Sequence, residues 1–392
     1  MTSEIIIVNK NAIVMAADSA VTVGGSKTYT GVNKLFMLSN NPPMGIMIFG
    51  AADFENIPME TLIKEYHKKT DFNEKNDIIS IKDDFLEFLG KNTPNSDFES
   101  KIKYKLNSFK EIIIPIMKQL DDSSLVEVLE SRTKKDLPSF LKDYDEIIND
   151  MDMEFKEMIP ENIKEEYHDE IILLLKNIFI TFLLKTGTGI VIAGFNEKDM
   201  FPSIVNFNLI MNNNGKIEID DYNELFNFNG NKIMPFAQQD VINTFLKGIN
   251  SNMSNAIVNY FNNYIDKYLE ELRIEFNSDN KIKKESHQSI NEVLNKFDKT
   301  NDKRASDFEK DIDNLKKNFY NEMLESIGSL PKKELANMAE SLIHITSLKR
   351  KLDSDLETVG GDIDVAIISK GDGFIWIKRK NYYDINLNPH IS

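Results

Sequence analysis

No cysteine occurs among the 392 residues, which excludes a disulfide framework, a cysteine nucleophile and thiolate ligation of zinc. Histidine is scarce as well. His67, His168, His287, His344 and His390 are scattered without the spacing of metal ligands, so no metal site is expected. No apolar run is long: the longest, over 171–184, is interrupted by Lys176 and falls short of the roughly 20 residues a spanning helix needs. The first residues lack a basic stretch leading into an apolar one, so no leader is read there and a cytoplasmic location is expected. Basic residues are outnumbered, 47 Lys and Arg against 63 Asp and Glu, for a net charge of -16. That balance argues against nucleic acid as the main partner, since binding there is dominated by phosphate neutralisation. Gly24-Gly25 and Gly360-Gly361 fit neither a Gly-x-Gly-x-x-Gly nor a Gly-x-x-x-x-Gly-Lys cradle and read as tight turns. No cofactor is implied.

What is present alternates between strand-like and helix-like stretches. Apolar runs at 5–8, 13–17 and 44–49 place strands in residues 1–53. Residues 54–185 turn charged and helical, punctuated by Pro94, Pro115, Pro138 and Pro160; Ile147, Met151, Phe155 and Met158 recur at three to four residues, as on one helix face. Residues 186–250 return to strands, with a hairpin over 189–207 and a turn at Asn212-Asn213-Asn214-Gly215. Residues 251–330 are helical again. Tyr260, Tyr264, Tyr268 and Leu272 form a stripe that reads as helix packing, and a turn is expected at Asn277-Ser278-Asp279-Asn280. Low apolar density beyond Asp279 predicts projecting helices, with most of 281–325 dispensable. Residues 331–392 supply a closing helix and a last hairpin at 358–380, where Trp376 reads as a core or interface residue.

The chemistry sits at the start of the chain. Removal of Met1 would leave Thr2 carrying both a hydroxyl and a free α-amine. A threonine hydroxyl is a poor nucleophile unless a base takes its proton, and an α-amine titrating near 7.7–8.0 is partly neutral at cellular pH. A neighbouring ammonium such as Lys34 would push that value lower. Asp18, ending the run Ile13-Val14-Met15-Ala16-Ala17-Asp18, would keep Lys34 ionised and in place. Singly, Asp18 reads as a strand-end cap and Lys34 as a solvated lysine; on that reading Lys34→Ala spares the fold. Together with Thr2, at two steps of 16 residues, they form the set that N-terminal-nucleophile chemistry requires.

In these residues the first fifty positions resemble a proteasome β-type subunit, and the bacterial HslV-type peptidases in particular. The resemblance rests on the Met-Thr start, the Ala-Asp-Ser strand end, Lys34, and the strand running into Gly50-Ala51-Ala52-Asp53. It resumes at the 189–207 and 359–378 hairpins. It implies an α+β fold, a four-layer αββα sandwich with two long helical insertions. It also implies Thr2 as nucleophile, Asp18 and Lys34 as its support, and a backbone N–H near Gly50 as oxyanion donor. A peptide or protein substrate, self-assembly into a homo-oligomer and an ATP-dependent unfoldase partner come with it.

Two positions depart from the pattern. Pro235-Phe236-Ala237-Gln238-Gln239 stands where a Gly-Ser-Gly-like turn supplies a helper serine, leaving Gln238 in its place. Val359 precedes Gly360-Gly361 where an Asp-x-x-Ser motif is usual, and Asp355 or Thr358 fits only with a shift. A non-proteolytic amide hydrolase acting on a small molecule and an inactive assembly or regulatory subunit therefore stay open beside the peptidase.

Overall fold

The computed structural model describes residues 2–23, 27–72, 77–119, 151–185, 187–225, 228–278, 284–299, 301–352 and 359–381. The chain is α+β, with antiparallel sheets and ten α-helices among the described residues. Its strands are β1 (Ser3–Val8), β2 (Ile13–Ala17), β3 (Val21–Val23), β4 (Lys27–Tyr29), β5 (Leu35–Asn40), β6 (Pro43–Gly50), β7 (Asp53–Phe54), β8 (Ile57–Pro58), β9 (Thr188–Gly194), β10 (Ser203–Asn213), β11 (Lys216–Leu225), β12 (Lys232–Ala237), β13 (Asp364–Ser369) and β14 (Gly373–Lys378). One five-stranded sheet runs β12-β1-β2-β13-β14, the other β11-β10-β9-β6-β5.

The apolar runs of the sequence become strands buried on both sides, which is why they read as continuous rather than alternating. Along β1, Ile5 and Ile7 join a cluster with helical residues, whereas Ile6 and Val8 join one that draws on both sheets. β2 repeats this: Val14 and Ala16 face the helices, Ile13, Met15 and Ala17 the other sheet. That other sheet supplies Leu35, Met47, Val191 and Ala193 to the shared cluster and Ile46, Ile48, Ile190 and Ile192 to its own helical side. A period of two thus sends each strand's neighbours to opposite faces.

Helices α1 (Met59–Lys69) and α2 (Ile78–Asn92) cover the second sheet through Leu62, Ile63, Tyr66, Ile81, Phe85 and Leu89. The N-terminal end of α2 is fixed by Asp77, whose side chain accepts from the N–H groups of Ile79 and Ser80. α3 (Phe98–Met117), α4 (Asp152–Lys156) and α5 (His168–Lys185) form a separate cluster centred on Phe109, Phe155 and Phe179. Met151, Phe155 and Met158 are buried there as the spacing predicts, while Ile147 and Pro138 lie outside the described residues.

The first sheet is covered by α6 (Asp240–Lys247) and, further on, α10 (Lys332–Leu352), through Ile242, Leu246, Leu335, Ala339 and Ile343. Between these two helices run α7 (Ser251–Ser278), α8 (Lys284–Lys299) and α9 (Asn301–Gly328). Two expectations change here. The tyrosine stripe of α7 is exposed, with Tyr260 73 %, Tyr264 72 % and Tyr268 53 % accessible. The C-terminal turns of α9 are not projecting: Tyr320, Met323 and Leu324 pack on the first sheet's helical cluster and Ile327 is buried within it. Sparse apolar residues earlier in the helix hid this anchored end. Asp279-Asn280 of the expected turn, Gly24-Gly25, Asp355 and Thr358 lie outside the described residues.

Pro235 lies within β12 rather than a turn. β12 is an edge strand, where a missing N–H is tolerated.

Candidate active site

Three chain segments meet where β1 begins, β2 ends and β5 is about to start. Thr2 and Glu4 are two apart on β1's approach, so both side chains point to the same side as Ile6 and Val8, between the sheets. Asp18 follows β2 directly and is held by backbone at both oxygens: Ser3 N–H donates to Oδ1 at 3.1 Å and Gly360 N–H to Oδ2 at 3.0 Å. The Asp18 N–H in turn donates to the Ser3 carbonyl.

Lys34 comes from the other sheet. It precedes β5, and its carbonyl accepts from Ile48 N–H at 2.8 Å. From there its ammonium reaches across to donate to Asp18 Oδ1 and lies 3.2 Å from Glu4 Oε1. Lys34 is 2 % exposed and both carboxylates are fully buried. The expectation of a solvated lysine is therefore overturned. Its long stem is enclosed, and its charge is set between two carboxylates that would otherwise be buried unpaired.

The hydroxyl of Thr2 donates to Glu4 Oε2 at 3.1 Å. Glu4 is thus the link between Thr2 and Lys34, a role the sequence reading missed. The signal was there: a lone carboxylate in an otherwise apolar strand, two residues from the candidate nucleophile. Burial pushes the Glu4 carboxyl up to about 7, with Asp18 adding to the rise and Lys34 and the Thr2 hydroxyl opposing it.

Gly50 is set apart. It ends β6 opposite Thr188, at φ +79°, and a Cβ there would meet the Gly187 carbonyl oxygen at 2.6 Å. Glycine is required by that contact alone. Its tie to the rest is indirect: the ring of neighbouring Phe49 lies 5.0 Å from Phe236, which pairs with Glu4 across β12 and β1. Gln238 does sit beside Thr2, its N–H donating to the Thr2 carbonyl at 3.2 Å. Gly361 stands close behind Asp18. At φ +74°, its Cβ would lie 2.3 Å from Ser19 Oγ, so Gly360-Gly361 is the turn that lets backbone approach the Asp18 carboxylate.

Ser3 Oγ, Ser19 Oγ and Glu4 Oε1 are buried without a hydrogen-bond partner in the protein. Glu4 Oε1 does have the Lys34 ammonium 3.2 Å away as its ion-pair partner. Among the described residues no cluster of His, Cys, Asp or Glu could hold a metal ion, and no helix is long and apolar enough to cross a membrane.

No family model matches this chain and no curated protein matches it, which overturns its reading as a member of the proteasome β-type or HslV-like family. Among solved structures it is similar to Anbu (ancestral beta-subunit) from Yersinia bercovieri, over 99 % of this chain and 93 % of that one. The identity is 9 % and the TM-score 0.35, so function has to be argued from this chain's own residues.

Proposed function

We propose that this protein is a threonine-type amide hydrolase in which Thr2, exposed by removal of Met1, is the nucleophile. The observation that carries the reading is the buried chain of contacts from the Thr2 hydroxyl through Glu4 to Lys34 and Asp18. Burying two carboxylates and a lysine is costly, and a fold seldom retains such a group without a use for it. In the reaction, Thr2 Oγ1 attacks the carbonyl carbon of the substrate amide, the amine leaves, and water then releases the acyl group from Thr2. Lys34 stabilises negative charge developing beside Thr2; Asp18, anchored by Ser3 and Gly360, holds the ammonium in position. A backbone N–H at Gly50 is assigned to the oxyanion. Ser3 Oγ and Ser19 Oγ are buried polar groups beside the site that lack a protein partner, positions suited to an ordered water.

The arrangement of the core clusters supports a four-layer αββα sandwich as the frame. In this reading the frame is made by residues 1–53, 186–250 and 331–392, joined by α1 and α2. The rest of 54–185 and most of 251–330 are insertions. The substrate is a peptide or protein, the location cytoplasmic, and the working form a homo-oligomer served by an ATP-dependent unfoldase. Digestion of a peptide library tests the activity. Wild type is expected to cleave, Thr2→Ser to cleave more slowly, and Thr2→Ala and a form extended at the N-terminus to be inactive. Cleavage by folded Thr2→Ala would end the reading.

A further inference from the structure

We infer that Glu4, not the Thr2 α-amine, is the group that accepts the proton of the Thr2 hydroxyl. The inference rests on Thr2 being the nucleophile, as proposed above, and adds the proton path. Three observations carry it. Glu4 Oε2 is the acceptor of the Thr2 O–H at 3.1 Å, already the contact a general base makes. The other carboxylate, Asp18, is occupied by two backbone donors and Lys34. Charge supplies the third. Two buried carboxylates share one lysine, leaving one negative charge in excess. An α-ammonium at Thr2 would balance it, and an amine held charged for that purpose cannot serve as the base.

The groups facing Glu4 define its titration. Lys34 and Asp18 are its charged neighbours, Thr2 its hydrogen-bond donor, and Ala17 and Phe236, opposite it on β2 and β12, are apolar. Burial raises its carboxyl to about 7 in the chain that keeps Met1, and an α-ammonium at Thr2 would draw it back down from there. The step balances. The Thr2 O–H proton passes to Glu4 Oε2 as Oγ1 bonds to the carbonyl carbon and the carbonyl π pair moves to oxygen. As the tetrahedral species collapses, the C–N bond breaks and the amine leaves with the proton from Glu4. In the second half water gives its proton to Glu4, hydroxide adds to the ester carbon, and Thr2 Oγ1 leaves with that proton.

The test is acylation of Thr2 by an alkyl β-lactone, followed by intact mass from about pH 5 to about pH 9, on wild type, Glu4→Gln, Glu4→Asp and Thr2→Ala. Wild type is expected to show a labelling rate that rises with pH as Glu4 ionises and then levels. Glu4→Gln keeps the shape of the side chain but not its basicity. It should lose at least about 100-fold at pH 8 and the rising limb with it. Glu4→Asp should recover part of the rate and keep a limb. Labelling of Glu4→Gln at wild-type rate, or a slowed rate with an unchanged pH profile, would overturn the assignment while silence of Thr2→Ala upholds the nucleophile. A wild-type profile flat from about pH 5 to about pH 9 would overturn it without any variant. Labelling of Thr2→Ala at the same place would instead bring down the nucleophile reading beneath it.

Discussion

Glu4→Gln should make the protein more stable at alkaline pH. Burial raises the Glu4 carboxyl from 4.5 to about 7 in the folded chain, and the unfolded chain returns it to the ordinary value. The folded state thus binds this proton more tightly. Its contribution to stability is fully present below the unfolded value and is lost as pH rises through about 7. The shift amounts to about 3 kcal/mol of penalty once both forms are ionised, near pH 8, and to about 1 kcal/mol at pH 5. Glutamine carries no such penalty. It also keeps the volume and can still meet the Thr2 hydroxyl. The assay is urea unfolding of wild type and Glu4→Gln at both pH values. Both carry the same N-terminal extension, so that no α-ammonium enters the balance. The variant's advantage should grow by about 2 kcal/mol between pH 5 and pH 8. An advantage independent of pH, or a variant less stable at pH 8, would refute the claim that Glu4 is ionised there against the pull of its surroundings.

Two further outcomes follow from the same packing. Lys34→Ala should abolish hydrolysis and also destabilise the fold by about 3–5 kcal/mol at neutral pH, because it strands Asp18 and Glu4 without their cation; a thermal melt matching wild type would contradict this. Ile327→Ala, at an anchored position of α9, should cost about 2–5 kcal/mol, whereas Leu315→Ala, 56 % exposed on the same helix, should stay within about 0.5 kcal/mol. Equal effects in chemical denaturation would show that α9 is not anchored where its buried residues indicate.

How much of this was legible in the sequence depended on whether a segment's packing is local. β1, β2, β6, the β9–β10 hairpin and the closing hairpin are built on apolar stretches with turn residues between them, and the period of the strand carries their burial. β12 was not legible to its end, because Pro235 and the Gln238-Gln239 pair beyond it read as a turn until edge position excuses the proline. α1 and α2 were folded into a charged helical insertion, since only one face of each is apolar and the sheet they cover lies partly over a hundred residues away. At the site, Thr2, Asp18 and Lys34 were picked out by residue type and spacing, and Lys34 and Asp18 do meet. Lys34 looked like a surface residue because a lysine's burial is decided by partners that sequence does not place. Glu4 belongs to no recognisable motif, and its one signal is a carboxylate placed inside an apolar strand. Gly360 reads as part of a tight turn, but its hold on Asp18, 342 positions away, has no signal in the local sequence.

The central claim is that the Thr2 hydroxyl is the reacting group, and site-mapped labelling tests it most directly. Protein produced without any tag at its start would be treated with an alkyl β-lactone, digested and sequenced by mass spectrometry. The account predicts loss of Met1, a single acyl group on residue 2, and no label in Thr2→Ala. Retention of Met1 with no label, or an acyl group on any other residue, would contradict it.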